Sequence, residues 1–237
     1  MSDNPSQNDA LNDNSLKDKT PSSLKLRTLS ALFIVPSFLG AIYFGSFIFF
    51  IFVSLLVFIS FHELSSMAHQ GQKTLRDCVF GSAYIGIGLA SLFFLRHLHS
   101  DGLYLTFALL FMIWGCDTGA YFAGKKFGVK KLCPSISPGK TWAGLIGGIM
   151  ASMVVAYAAH HYFGLFSSIS IALFIGFMVA VIGQVGDLII SKYKRVIGVK
   201  DTGSLIPGHG GVLDRIDSLL LTTPIYLFVV LYLHGAV

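Results

Sequence analysis

Residues 29–60 read LSALFIVPSFLGAIYFGSFIFFIFVSLLVFIS, without a single Asp, Glu, Lys or Arg. A helix crosses the ~30 Å hydrocarbon core of a bilayer in about 20 residues. This run is too long for one span and too apolar for a helix that faces water. Gly40, Gly45 and Ser46 supply the small residues at which the chain can reverse, so the sequence predicts a tight hairpin of two membrane helices bent between Gly40 and Gly45.

Further apolar segments follow at Val79–Leu95, Leu103–Phe122, Trp142–Phe163, Ser168–Ile190 and Ile216–Leu233. With the hairpin they predict an all-α polytopic integral membrane protein of about seven transmembrane helices, one membrane-embedded domain over residues 25–237. Composition demands the same class: 54% of residues are hydrophobic and 12% charged, whereas a soluble domain is about a quarter charged. Residues 1–24 are rich in Asn, Asp and Ser and hold no apolar run. They are expected to form a disordered cytoplasmic tail, and the apolar run that follows is too long for the core of a cleavable signal peptide. Cys78, Cys116 and Cys133 are far apart and fit neither a disulfide framework nor a zinc site.

Basic residues orient the spans, because Lys and Arg collect in cytoplasmic loops. With the N-terminus inside, seven spans put sixteen of the seventeen Lys and Arg residues on the cytoplasmic side and leave Arg96 outside. The net charge of +5 suits an anionic lipid surface. A nucleic-acid partner is excluded, since no soluble basic module is present.

Acidic residues are scarce beyond the tail: Glu63, Asp77, Asp101, Asp117, Asp187, Asp201, Asp214 and Asp217. A carboxylate within a span costs a few kcal/mol unless it is paired or lines a watery cavity, which makes Asp117 and Asp187 functional candidates. Residues 191–217, SKYKRVIGVKDTGSLIPGHGGVLDRID, gather Asp201, Asp214 and Asp217 with Lys194, Arg195, Lys200 and Arg215. Hard carboxylate oxygens suit Mg²⁺, and the cations can neutralise phosphate. Glycines around His209, among them Gly210 and Gly211, allow close approach of backbone to a ligand. His209 is expected to face that ligand. Upstream, residues 124–142 (GKKFGVKKLCPSISPGKTW) are expected to form a mobile phosphate-contacting loop. Gly139-Lys140-Thr141 within them lacks the spacing of a Walker A loop.

The ordered run from Ser191 through Lys194-Arg195, Lys200-Asp201 and Pro207-Gly208-His209-Gly210-Gly211 to Asp214-Arg215 and Asp217 resembles the signature of the phosphatidate cytidylyltransferases, the integral-membrane CDP-diacylglycerol synthases. Ser137-Pro138-Gly139-Lys140-Thr141-Trp142, Gly186-Asp187-Leu188, and Asp117 with Tyr121 extend the likeness over roughly the C-terminal half. Tyr193 stands where an aliphatic residue or Phe is usual, and Ala143 where Glu commonly follows Lys-Thr-Trp.

The resemblance implies transfer of the cytidylyl group of CTP to phosphatidate, with release of pyrophosphate, in a bacterial inner membrane and with the site cytoplasmic. It implies Mg²⁺ and leaves a second cation and a homodimer open. Asp187, Asp214, Asp217, Lys200 and Arg215 are the expected catalytic residues. Asp187 and Asp214 form the preferred metal pair, with Asp217 completing the shell. Ser191, Lys194, Arg195, Asp201, His209, Gly210, Gly211, Lys140 and Asp117 are the expected substrate contacts. A CTP-dependent lipid-alcohol kinase and a membrane anion or lipid transporter are the competing readings; the transporter lacks the paired repeats that alternating access favours.

Overall fold

The computed structural model describes residues 23–71, 75–98, 101–206 and 210–233. Seven helices and one small hairpin make up this part: α1 (Ser23–Phe44), α2 (Ser46–Gln70), α3 (Leu75–Arg96), α4 (Gly102–Phe127), β1 (Lys131–Cys133), β2 (Ser137–Thr141), α5 (Trp142–Phe163), α6 (Ile169–Ile197) and α7 (Leu213–Leu233). Six of the helices, α2 to α7, are long and apolar enough to cross a membrane. Helix α1, 22 residues long, spans about 33 Å at ~1.5 Å per residue.

The expected reversal falls at Gly45, whose φ of 61° and ψ of −152° are open to glycine and strained for other residues. Arg96, the one basic residue predicted on the far side, has a task here. Its Nε donates to the Ile42 carbonyl at 2.6 Å and its Nη2 to that of Tyr43 at 3.4 Å. A cation at the carbonyl end of a helix meets both the orphan acceptors and the negative end of the dipole.

Small residues set the closest crossings. A Cβ built on Gly119 of α4 would lie 2.6 Å from the Gly147 carbonyl oxygen of α5, and one built on Gly147 would lie 2.9 Å from that of Gly119. The glycines of residues 144–148 thus permit close packing, as is common between helices that share no hydrophobic drive to associate in lipid. Gly88 of α3 meets the Leu220 backbone of α7, and Gly186 of α6 meets the Asp217 carbonyl of α7 at 2.9 Å by the same measure. Between these crossings runs a core of Phe49, Leu89, Leu109, Met112, Ile175 and Tyr226, all fully enclosed.

Residues 124–142 depart from the expected mobile loop. They end α4, turn at Gly128 and fold into the antiparallel hairpin β1–β2, pairing Lys131 with Thr141 and Cys133 with Ser137. Thr141 then caps α5, its hydroxyl oxygen accepting the Gly144 N–H at 3.0 Å. Helix α6 also runs past the predicted end at Ile190, so that Ser191, Lys194 and Arg195 lie on regular helix. All three cysteines are free.

Gly119→Val should force α4 and α5 apart. A lower melting temperature in detergent, by several degrees, is expected from the ~1–3 kcal/mol cost of overpacking, and differential scanning fluorimetry measures it.

Candidate active site

Helix α6 begins at Ser168, whose hydroxyl caps it, and is amphipathic toward its end, which carries Asp187, Ser191 and Lys194 at helical spacing. Asp187 accepts the Lys140 ammonium at 2.6 Å and the Ser191 hydroxyl at 3.1 Å. Lys140 also donates to Gln184 Oε1 at 2.9 Å. The hairpin therefore delivers Lys140 to the α6 face, and the two residues one turn apart on that face receive it.

Asp217 of α7 lies beside Asp187, its carbonyl set against the Gly186 backbone. Gly186 makes this approach available, since any side chain there would meet the Asp217 and Ser218 backbone. Two carboxylates so close repel unless a proton or a cation lies between them. Asp117 of α4 joins the group: it lines a cavity of about 200 Å³ with Tyr121, Lys140, Gln184 and Asp187. It also lines a larger one of about 500 Å³ with Asp214, Arg215 and Asp217. Apart from Ser37 and Ser218 the rest of the larger cavity is apolar, with Phe38, Phe52, Leu56, Ile113 and Trp114 in its wall.

Asp214 occupies different surroundings from Asp187. Its Oδ1 meets Lys194 at 2.5 Å, and its Oδ2 accepts the Thr202 N–H at 2.8 Å, the Gly211 N–H at 3.1 Å and the Thr202 hydroxyl at 3.1 Å. The structure thus sets Asp217, rather than Asp214, beside Asp187, and turns Asp214 to the loop that joins α6 to α7. Lys194 is consumed by that contact. Arg195 braces the loop against the hairpin, donating to the Ile136 and Val199 carbonyls, each at 3.3 Å. Lys200 and Asp201 are exposed on the loop.

Gly210 adopts a φ of 83° and abuts Asp214. Gly211 admits internal side chains rather than a ligand, because a Cβ there would meet Thr202 Oγ1 and, at 2.6 Å, Glu63 Oε2. His209 lies outside the described residues.

Glu63, Thr202 and Gln184 belong to this region without having been singled out in the sequence. Glu63 was visible as one of few acids in an oily segment. Its partners Val212 N–H and Leu213 N–H, both at 2.9 Å, are backbone groups that leave no mark in a sequence.

An all-helical integral membrane protein with paired carboxylates, a lysine and an apolar-walled cavity at one end of its bundle has the parts of a membrane-embedded group-transfer enzyme. Residues 69–233 match the Cytidylyltransferase family, and the chain belongs to that family. It is accordingly a nucleotidyltransferase. Relatives bear the name phosphatidate cytidylyltransferase. That of Rickettsia conorii is 37% identical over 224 residues, covering 92% of this chain and 96% of its own. That of Rickettsia bellii is 39% identical, covering 90% and 93%. That of Staphylococcus aureus strain COL is 40% identical over 148 residues, covering 62% and 56%.

Lys140→Met should leave Asp187 facing Asp217 without its cation. Turnover is expected to fall by about 100-fold or more, with the protein still monodisperse in detergent. Steady-state assay beside size-exclusion chromatography checks this, and Lys140→Arg should recover part of the rate.

Proposed function

We propose that the protein transfers the cytidylyl group of CTP to phosphatidate, forming CDP-diacylglycerol and pyrophosphate. The observation that carries this reading is the continuity of the Asp187–Asp217–Lys140 group, through Asp117 and Arg215, with a cavity of about 500 Å³ whose remaining wall is apolar apart from Ser37 and Ser218. A diacylated phosphate needs both halves: apolar surface for its chains and polar groups for its headgroup. The names of the relatives point to the same substrate.

In the reaction an oxygen of the phosphatidate phosphate attacks the α-phosphorus of CTP. The bond from that phosphorus to the oxygen bridging to the β-phosphate breaks, and pyrophosphate leaves with the electron pair. A phosphate monoester is already anionic near neutral pH, so the attack needs alignment and charge neutralisation more than a strong base. Lys140 is held on α6 where it can meet phosphate oxygens. Arg215, exposed at the cavity wall, has the planar fork that grips a phosphate in two places.

Asp187 and Asp217 fit Mg²⁺ as hard oxygen donors held close together. Among the described residues no cluster of three acidic, His or Cys side chains is tight enough to enclose an ion. That also suits Mg²⁺, which is usually held by one or two carboxylates with water and substrate phosphates. When bound, such an ion offsets charge on the triphosphate and the departing pyrophosphate. Asp214, already engaged by four donors, is left to hold the loop.

Purified protein given CTP, phosphatidate and Mg²⁺ should yield CDP-diacylglycerol and pyrophosphate, read by mass spectrometry of the lipid. A phosphorylated lipid with CDP would establish a CTP-dependent kinase instead. Asp187→Asn and Asp217→Asn should each lose at least about 100-fold in turnover, and near-normal activity of either would sink the two-carboxylate site.

The charge asymmetry supports a cytoplasmic site, since ten of the seventeen basic residues lie in 125–140 and 192–215, on or beside the hairpin and the connection from α6 to α7. Single cysteines at Lys130 and Asp201, in a background without native cysteines, should react with an impermeant maleimide only from the cytoplasmic side of sealed vesicles. Labelling from outside would reverse the orientation.

A further inference from the structure

Glu63 sits near the end of α2, only 5% exposed, and lines neither of the cavities that hold the proposed chemistry. A buried carboxylate at that depth is costly unless it is well met. Here it meets the start of α7. Oε1 accepts the Val212 N–H at 2.9 Å, and Oε2 accepts the Leu213 N–H at 2.9 Å and the Thr202 hydroxyl at 3.0 Å. Val212 and Leu213 carry orphan donors of a helix N-terminus, where a negative charge is also favoured by the dipole. Glu63 therefore caps α7 from a helix about 150 residues away in sequence.

Asp214 grips the same loop from the other side through Thr202 and Gly211. The Thr202 hydroxyl lies between the two carboxylates, within reach of Glu63 Oε2 and Asp214 Oδ2. The small residues of the loop are shaped to this arrangement. The three atoms nearest a Cβ built on Gly203 all belong to Glu63, at 2.9, 3.2 and 3.2 Å.

From these contacts we propose that Glu63 is a positioning residue for the reaction. It seats Thr202 and Gly203 against the first turn of α7, and so fixes Asp217 against Asp187 and Arg215 at the cavity wall. The chemistry it serves rests on the cytidylyl-transfer reading; its structural action does not, and the two can be tested apart.

Glu63→Gln preserves size but turns one acceptor oxygen into a donor facing an N–H or hydroxyl. Hydrogen exchange followed by mass spectrometry should show exchange in the segment around residues 211–213 rising at least about 10-fold, with residues 142–163 unchanged. A displacement near 1 Å of a reacting group costs on the order of 100-fold, so kcat should fall by tens of times. KM for CTP and for phosphatidate should change by a smaller factor than kcat, because Glu63 itself touches neither substrate.

Gly203→Ala should lower kcat on its own. It should add little to Glu63→Asp, where the shorter side chain vacates the space the new methyl needs. This pair carries the test if Glu63→Gln fails to fold. Unchanged exchange at 211–213, a rise in KM with kcat intact, or additive losses for Gly203→Ala and Glu63→Asp would overturn the proposal. Wild-type protein that makes no CDP-diacylglycerol, with exchange altered as expected in Glu63→Gln, would overturn the assigned reaction and leave the anchoring intact.

Discussion

The close crossing of α6 and α7 at Gly186 is the constraint on which the site depends. With no side chain between them, the α6 backbone meets the Asp217 carbonyl and Ser218 of α7, and Asp187 is brought beside Asp217. Three polar side chains nearby offset the repulsion that this creates. Lys140 arrives from the hairpin, Ser191 donates from the next turn, and Gln184 holds Lys140 in place. The bundle tolerates the crossing because other pairs of helices approach as closely, α4 with α5 at Gly119 and Gly147 and α3 with α7 at Gly88.

Two ion pairs, Lys140–Asp187 and Lys194–Asp214, concentrate charge at one end of the molecule. Buried pairs add little to stability once desolvation is counted, and their better-attested use is to fix register. That matches their placement here. One pair joins a hairpin to a helix beyond α5, and the other joins the end of α6 to the start of α7 across the connecting loop. At the opposite end, Arg96 joins α3 to the last carbonyls of α1.

Much of the architecture was legible because a bilayer admits few solutions. The oily runs named the helices, and the Gly45 reversal fell where the glycines allowed it. The hairpin escaped notice because Gly, Pro and Lys at 124–142 look like a loop, and its two strands are too short for alternation to register. Within the site, Asp187, Asp217, Asp117 and Lys140 were found by residue type and converge in the structure. Sequence proximity of Asp214 to Asp217 says nothing about which of them faces α6. Lys194 and Arg195 read as substrate contacts from charge alone, while their actual partners, Asp214 and two backbone carbonyls, depend on the path of the loop.

Strand β2 divides its duties between two adjacent residues, beside an irregularity in its register with β1. Lys140 points to α6, while Thr141, the next residue, turns to cap α5. A slip of one residue against β1 would exchange them, offering a hydroxyl to Asp187 and leaving an ammonium at the positive end of a helix. Among homologues, the number of residues separating the two strands should therefore be kept more strictly than the residues that make up the turn.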